Sequence, residues 1–285
     1  MIEQHKQISS GRVLQVCSFE SRRAEEMAGL IRKQGGEAVI APSMQEVNRD
    51  DHSEVFAFAD DLLKGRIDVV IFLTGVGATA LLEIAETQHS RDDLLAAIDR
   101  CITVVRGPKP TAVLNQWKVH VDHRAPEPNT WKELLATLDA AEIDLSGKHV
   151  AVQEYGELSN ELHAGLVERG ATVKSLPVYR WTLPDDVGPL ESAIRKTCEG
   201  AFDVLLFTSA QQVRHVLQVA ERLGLQDEWR AATETCVIGS IGPTCSEAIR
   251  EVGLTVDFEP THPKMGVLVR EVLAEALSLL SAKRK

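Results

Sequence analysis

The sequence lacks most of the features that would assign it to a class directly. Its five cysteines are odd in number and form no Cys-x-x-Cys pair, so we expect buried or idle thiols rather than a disulfide framework. No apolar run approaches the roughly 18 residues that a membrane-spanning helix needs, and no membrane partner is predicted. The segment Met1–Gln7 contains an acidic residue and no apolar stretch, unlike a secretory signal. We therefore expect a cytoplasmic protein.

Basic surface is also scarce. The 31 lysines and arginines are outnumbered by 42 aspartates and glutamates, and the formal net charge is −11. Nucleic-acid binding relies on basic surface that replaces phosphate counterions, so no nucleic-acid partner is expected. A small polyanion is still compatible with this composition, because a few basic side chains and the free N–H groups at helix N-termini can hold it.

The chain is a tandem duplication. The stretch Asp203–Val213 is a buried-strand run followed by a hydroxyl pair and a helix. A similar stretch, Asp68–Ala78, lies 135 positions earlier, with Leu73-Thr74 in place of the hydroxyl pair. The same offset relates Gly107 to Gly242. This period is far longer than that of a solenoid repeat. Each copy is large enough to bury a core of its own.

Segments typical of strands and of helices alternate in both copies. Apolar runs such as Val204–Phe207 show no period-2 alternation, as expected of strands that are covered on both faces. The predicted fold class is therefore α/β, with two similar domains of parallel, helix-covered sheets. Within it we predict that Ser21 caps the first helix, that Thr111 begins a later helix, that Val119–Val121 is a strand and that Trp131–Ala140 is a helix.

Ligands of such sheets bind beyond the carboxyl ends of the strands, where loops meet helix N-termini. This rule predicts a rim in each copy, and two rims that face each other would form a cleft. Hydroxyls, glycines and free N–H groups are frequent in the rim segments, and Arg22, Arg106 and Lys109 add positive charge, which suits carboxylates or phosphates. The segments are Ser18–Arg22, Thr74–Gly77 and Arg106–Thr111 in copy one, and Glu154–Gly156, Thr208–Gln212 and Ser240–Thr244 in copy two.

Two motifs admit other interpretations. Gly75–Ala80 matches the dinucleotide pattern G-x-G-x-x-A, which would indicate a nucleotide-dependent enzyme. The equivalent turn in copy two, Ser209–Gln212, has no glycine, so a tight strand-to-helix turn is favoured. His120–His123 could bind a metal by composition, but the alternation there places its polar residues on the exposed side of an edge strand. Neither a metal nor a cofactor is predicted.

Candidate catalytic side chains are few. No Ser-His-Asp arrangement is recognisable, since nothing matches G-x-S-x-G. The two tyrosines are Tyr155, which follows a predicted strand at the rim, and Tyr179, which follows the predicted strand Val173–Leu176. By position alone, packing is the commoner role for such a tyrosine, and a role as general acid stays open.

Several segments are weak evidence of a relationship when taken singly and fairly specific when taken together. They are Val150–Glu157, Leu176–Trp181 with Leu183-Pro184, Phe207–Ala210, Arg106–Pro110 and Ile241–Thr244. In their order and spacing, and in the duplication, the chain resembles the uroporphyrinogen-III synthase family over most of its length. The resemblance implies two α/β domains joined by two extended linkers, Pro42–Val47 and Pro177–Leu183. One domain would be discontinuous, with residues 1–42 and 183–285, and the other would be residues 46–176.

The resemblance also implies a reaction. Linear hydroxymethylbilane would lose water and close to uroporphyrinogen III, with its last pyrrole ring inverted, in tetrapyrrole biosynthesis. This substrate cyclises unaided to the type I isomer, so the enzyme would act mainly by positioning it, without a cofactor. A monomer is expected, and hydroxymethylbilane synthase is a candidate transient partner. A non-catalytic bilobal tetrapyrrole-binding or sensor protein would share this architecture, and it stays an alternative that a turnover assay would decide.

Residue roles follow from the same resemblance. The linker tyrosine, Tyr179, would be the catalytic acid, and rim residues would bind the substrate. These binding residues are Ser18, Arg22, Thr74, Gly75, Arg106, Gly107, Lys109, Thr111, Tyr155, Thr208, Ser209, Ala210, Gly242 and Thr244.

Overall fold

Two compact units make up the chain. The computed structural model describes residues 12–48, 51–154, 156 and 158–284. Unit 1 contains the residues up to Gln45 together with those from Leu183 onward, and unit 2 is Glu46–Thr182. We propose that these units are the two domains implied by the resemblance, for which the expected bounds are 1–42 with 183–285, and 46–176.

Strands and helices follow one another along the chain. The strands are β1 Gln15–Ser18, β2 Glu37–Ile40, β3 Gln45–Asn48, β4 Val69–Phe72, β5 Ile102–Val105, β6 His123–Arg124, β7 His149–Gln153, β8 Thr172–Leu176, β9 Tyr179–Thr182, β10 Val204–Phe207 and β11 Val237–Ser240. The helices are α1 Ala24–Lys33, α2 Ser53–Leu63, α3 Gly75–Ala85, α4 Arg91–Asp99, α5 Pro108–Gln116, α6 Trp131–Ala140, α7 Asn160–Glu168, α8 Gly188–Cys198, α9 Ala210–Arg222, α10 Gln226–Thr233, α11 Pro243–Glu251 and α12 Met265–Lys283.

Unit 1 is built on a parallel sheet with the strand order β11-β10-β1-β2. Cys17 and Leu205 belong to a core that includes side chains of α8, α9, α10 and α11. Their strand neighbours Val16 and Leu206 belong to a second core, formed with α1 and α12. Since successive residues of a strand point to opposite faces, helices cover both faces of this sheet.

Unit 2 is built on a second parallel sheet, with the order β6-β5-β4-β7-β8. Val69 and Ile71 pack with α6 and α7 on one face. Phe72 lies on the other face, with side chains of α2, α3 and α4 around it. The strands β3 and β9, which lie in the expected linkers, are hydrogen-bonded neighbours in a separate two-stranded sheet. Parallel, helix-covered sheets in both units confirm the predicted fold class.

Each sheet takes strands from both copies of the repeat. Unit 1 combines β1 and β2 of copy one with β10 and β11 of copy two, whereas unit 2 combines β4, β5 and β6 with β7 and β8. The two strand orders correspond through the 135-residue offset. Even the bridge between Gly239 and Phe258 corresponds to the pairing of β5 with β6. The copies have therefore exchanged their first two strands.

An aspartate of one copy holds the first strand of the other copy to the middle of a sheet. Asp203, before β10, accepts the Gln15 N–H at 3.0 Å and pairs with Arg12 at 2.8 Å. Asp68, before β4, accepts the His149 N–H at 2.9 Å. That backbone hydrogen bond is the main cause that lowers the pKa of Asp68. The aspartate that opens each repeated stretch therefore has a structural role.

Three local predictions are wrong. Ser21 does not cap α1, because its hydroxyl instead accepts the N–H groups of Ser43 and Met44, both at 3.1 Å. Helix α5 begins at Pro108 rather than Thr111, since proline suits the first helical position.

The last strand of copy one is His123–Arg124 rather than Val119–Val121. Asp122 accepts the Thr103 N–H at 2.8 Å, and this contact aligns the following residues with β5. His120 is exposed but precedes the strand.

The five cysteines are free thiols, and four of them are buried. Burial raises the pKa of Cys101 and of Cys245 to about 11, and it also raises the pKa of Cys198, which is half-buried. Because the thiolate is the reactive form, Ellman's reagent at pH 8 should modify at most about one thiol per folded chain within minutes, with Cys198 first. As a control, unfolding the protein in guanidinium should make all five thiols react. Rapid modification of several thiols in the folded protein would contradict this burial.

Candidate functional site

The candidate site is the carboxyl edge of each sheet. Because the strands of a sheet are parallel, their carboxyl ends share one edge, where the following helices begin. We call these edges the unit 1 rim and the unit 2 rim. The unit 1 rim comprises residues 18–22, 208–212 and 240–244, and the unit 2 rim comprises residues 74–77, 106–111, 154 and 156.

Thr74 is fixed at the N-terminus of α3. Its backbone is extended and its Oγ1 accepts the Gly77 N–H at 3.0 Å, so Thr74 is the N-cap. Its own N–H donates to Oε1 of Gln153 at 3.1 Å. Gln153 ends β7, is fully buried and donates through Nε2 to the carbonyl oxygen of Glu154. One glutamine side chain thus joins the end of β7 to the turn that follows β4.

Tyr179 contacts this turn. It begins β9, is 1% exposed, and its hydroxyl lies 3.3 Å from Thr74 Oγ1. Its ring packs edge-to-face on Trp181, with ring centroids 5.6 Å apart and planes at 77°. The predicted acid and one predicted binding residue are therefore in contact, and Trp181 fixes the orientation of the phenol ring.

Gly156, which follows β7, packs against Trp181 of the same aromatic pair. Gly156 has a φ of +75°, a conformation that favours glycine. A Cβ at Gly156 would overlap the indole ring of Trp181. Gly156 and the orientation of Tyr179 are thus linked through Trp181.

The glycines of the G-x-G-x-x-A motif are required by internal contacts. A Cβ at Gly77 would overlap the Gln153 amide and lie 2.7 Å from Thr74 Oγ1. A Cβ at Gly75 would lie 2.9 Å from the carbonyl oxygen of Lys109, at the start of α5. Since packing explains both glycines, the motif gives no support to a nucleotide-dependent enzyme.

Glu154 is a buried carboxylate of the unit 2 rim, with 1% exposure. Its Oε1 lies 2.6 Å from Nε2 of His163 and accepts the Ser175 hydroxyl at 2.9 Å. These contacts point the carboxylate toward α7 and β8. The predicted binding residue Tyr155, next in the chain, lies outside the described residues.

The first turn of α5 has few backbone donors. Gly107 is its N-cap, and the prolines 108 and 110 have no N–H group, so Lys109 supplies the one backbone N–H among the first three helical residues. Thr111 donates its hydroxyl proton to the Gly107 carbonyl oxygen at 2.8 Å. Lys109 is exposed and Arg106 is half-buried. An anion at this helix would depend mainly on Lys109.

Several predicted binding residues lie at the N-termini of α9 and α11 in the unit 1 rim. Ser209 caps α9 by accepting the Gln211 N–H at 3.3 Å, and Ala210 is the first residue of this helix. Gly242 is the N-cap of α11, and Thr244 is exposed in its first turn. These positions suit contacts with a carboxylate.

Two other unit 1 rim residues, Thr208 and Ser18, contact Glu20. The Thr208 hydroxyl donates to Glu20 Oε2 and accepts from Gln212 Nε2 at 2.8 Å, while the Thr208 N–H donates to Gln212 Oε1 at 2.7 Å. Ser18 is buried, and its Oγ accepts the Glu20 N–H at 3.3 Å. Arg22 is exposed.

Sequence reasoning missed Gln153 and Glu20. Gln153 is a polar residue at the end of an otherwise apolar buried strand, which is an unusual position for a side chain without partners. Glu20 was detectable from the duplication, because a glutamate, Glu154, follows the first strand of the other copy, where the 135-residue offset is shorter by one residue.

Comparison with known proteins agrees with this architecture. A family model described as uroporphyrinogen-III synthase HemD matches residues 25–270. The chain belongs to this family. Among similar proteins, the uncharacterized protein YjjA of Bacillus subtilis (strain 168) is 31% identical over 256 residues, which cover 88% of this chain and 92% of that protein. A putative uroporphyrinogen-III synthase of Methanothermobacter thermautotrophicus is 28% identical over 237 residues, which cover 82% of this chain and 87% of that protein.

A solved structure shares the fold described above. It is that of a mutant uroporphyrinogen III synthase from the extremely thermophilic bacterium Thermus thermophilus, 24% identical, with a TM-score of 0.72 and coverage of 93% of this chain and 99% of that one. Among residues 12–48, 51–154, 156 and 158–284, no helix is both long and apolar enough to cross a membrane. In the same residues, no group of three or more histidines, cysteines, aspartates or glutamates is arranged to hold a metal ion.

Proposed function

We propose that this chain catalyses the dehydrating cyclisation of hydroxymethylbilane to uroporphyrinogen III, with inversion of the last pyrrole ring. The observation that carries the proposal is the contact between Tyr179 and Thr74, in a chain of this family. It places a phenol beside a capped helix N-terminus, at the edge of the sheet where such folds bind ligands.

In this proposal the protein mainly positions a reactive substrate. Tyr179 assists departure of the substrate hydroxyl as a general acid, and Thr74 orients the phenol. The substrate carboxylates bind to hydroxyl, basic and N–H groups of the rims, among them Lys109, Ser209 and Thr244.

The turnover assay is the direct test. Hydroxymethylbilane would be generated in situ with a deaminase, the purified chain added, and the oxidised porphyrin isomers separated by chromatography. A dominant type III product is expected. If a folded protein leaves only the type I isomer, the catalytic proposal fails and a tetrapyrrole-binding or sensor role takes its place.

The variant Tyr179→Phe tests the acid. It keeps the ring that packs on Trp181 and removes the hydroxyl 3.3 Å from Thr74 Oγ1. We expect kcat to fall about tenfold or more, and the type III fraction to fall with it because unaided cyclisation competes. Full rate with an unchanged isomer ratio would remove the acid role.

A matched pair at Thr74 separates orientation from acidity. Thr74→Ser keeps the hydroxyl that accepts the Gly77 N–H, and Thr74→Val replaces it with a methyl group of similar size. We expect the serine variant to keep most of the activity and the valine variant to lose about as much as Tyr179→Phe. Equal activity of the two variants would show that the Thr74 hydroxyl does not orient Tyr179.

A further inference from the structure

Glu20 and Glu154 occupy the same place in the two units but have different partners. The residue that accepts the N–H of the repeated aspartate is Gln15 in unit 1 and His149 in unit 2. Five residues later in each case comes a glutamate. Glu154 turns toward His163 and Ser175, whereas Glu20 bonds the hydroxyl of a rim residue.

The partners of Glu20 are those that a bound carboxylate would use. Its Oε2 accepts the Thr208 hydroxyl, and its Oε1 accepts the Arg23 N–H at 3.1 Å, next to the N-terminus of α1. A hydroxyl and a backbone N–H at a helix start are common carboxylate ligands.

The Thr208 hydroxyl has a single proton, and Glu20 accepts it. Gln212 uses both ends of its amide on Thr208, so the threonine is held in place on its other side. An incoming carboxylate can therefore bond Thr208 only after Glu20 has left. Glu20 is half-buried, so its side chain has solvent to move into.

We propose that Glu20 occupies the place of a substrate carboxylate in the unit 1 rim and that binding of a polycarboxylate displaces it. The chain thus carries an internal competitor at Thr208, which makes Glu20 a residue that sets affinity and specificity for carboxylates. This inference rests on the proposed function for the identity of the ligand. In unit 2 the position of Thr208 corresponds to Leu73, which has no hydroxyl, so the competition is confined to one unit.

Binding of uroporphyrin I, an octacarboxylate that does not react, tests the proposal on the full chain. We expect Glu20→Ala to lower its Kd about fivefold to tenfold. Glu20→Gln should have an intermediate effect, because the amide oxygen still accepts from Thr208 but without charge. The control Glu25→Ala removes an equal charge from an exposed position in the first turn of α1 and should change Kd less than twofold.

A second set of variants, made in the Thr208→Val background, isolates the contact between Glu20 and Thr208. In Thr208→Val, the substitution Glu20→Ala should change Kd less than twofold, because the hydroxyl for which it competes is gone. Unchanged or weaker binding by folded Glu20→Ala overturns the proposal. So does an equal gain in Glu25→Ala, since it would reflect net charge alone. The proposal is also overturned if the folded wild type and its variants bind no uroporphyrin I.

Turnover separates this inference from the proposed function. If the wild-type chain forms no type III isomer but Glu20→Ala tightens binding as expected, the proposed reaction fails and the role of Glu20 stands. If the wild type forms the type III isomer and the Glu20 variants bind no more tightly, the proposed reaction stands and the role of Glu20 fails. In the active case Glu20→Ala should lower KM and leave kcat within about twofold, and a large loss of kcat would contradict displacement.

Discussion

Gly77→Ala is expected to destabilise the protein by about 3 kcal/mol and to lower its activity strongly. The added Cβ would overlap the buried Gln153 amide, which would have to move and release the Thr74 N–H. It would also lie 2.7 Å from Thr74 Oγ1, the atom that contacts Tyr179. Denaturant unfolding measures the first effect and the isomer assay the second.

The compensating variant is Gln153→Ala. Alone it should lower the free energy of unfolding by about 2 kcal/mol, because it leaves the buried Thr74 N–H without its acceptor. Combined with Gly77→Ala it should cost little more than that, since the new methyl group enters the space that the amide has left. Activity should not recover equally, because Thr74 Oγ1 is still crowded.

Gly29→Ala is the matched control for this pair. Gly29 lies in α1, and a Cβ there meets nothing within 4 Å, so alanine should be neutral or slightly stabilising. Costs of Gly77→Ala and Gln153→Ala that simply add would show that the two side chains do not share space.

Gly156→Ala is expected to have the other large effect. Its φ of +75° costs an alanine about 1 kcal/mol, and the clash with the Trp181 ring should add about 2 kcal/mol. Because Trp181 packs edge-to-face on Tyr179, its displacement should also reduce kcat about tenfold, with a smaller change in KM.

Gly147→Ala separates strain from the clash. Gly147 also lies in unit 2 and has a φ of +69°, but a Cβ there meets nothing within 4 Å. In Gly147→Ala, the free energy of unfolding should fall only by the cost of the backbone conformation, and activity should be fully kept. If Gly147→Ala and Gly156→Ala unfold at the same denaturant concentration and retain equal kcat, Trp181 does not transmit an effect from Gly156 to Tyr179.

Much of the fold was predictable because burial on both faces leaves a clear pattern. The run Val204–Phe207 is fully buried, as its lack of alternation predicts, and helix Trp131–Ala140 has the predicted bounds. Local ends were less predictable. Ser21 has the chemistry of a cap but bonds the backbone of Ser43 and Met44, a tertiary contact that competes with capping and that no local pattern reveals.

The site was predictable as a set of segments and less so as a set of contacts. The rule on strand ends selected Thr74, and the resemblance selected Tyr179, but their contact joins residues 105 positions apart. The contact of the Gln153 amide with Thr74 depends on how the end of β7 lies beside the turn before α3, and that arrangement is tertiary. The catalytic and binding roles of these residues stay predictions.

The exchange of first strands sets an order of assembly during synthesis. Unit 2 is one continuous stretch, so it can close once residue 182 has left the ribosome. Strand β1 has to wait much longer, since Gln15 bonds Asp203, 188 positions further along. Until then β1 and β2 have no sheet to join, and an early stop in translation would release a finished unit 2 carrying an unfolded N-terminal segment.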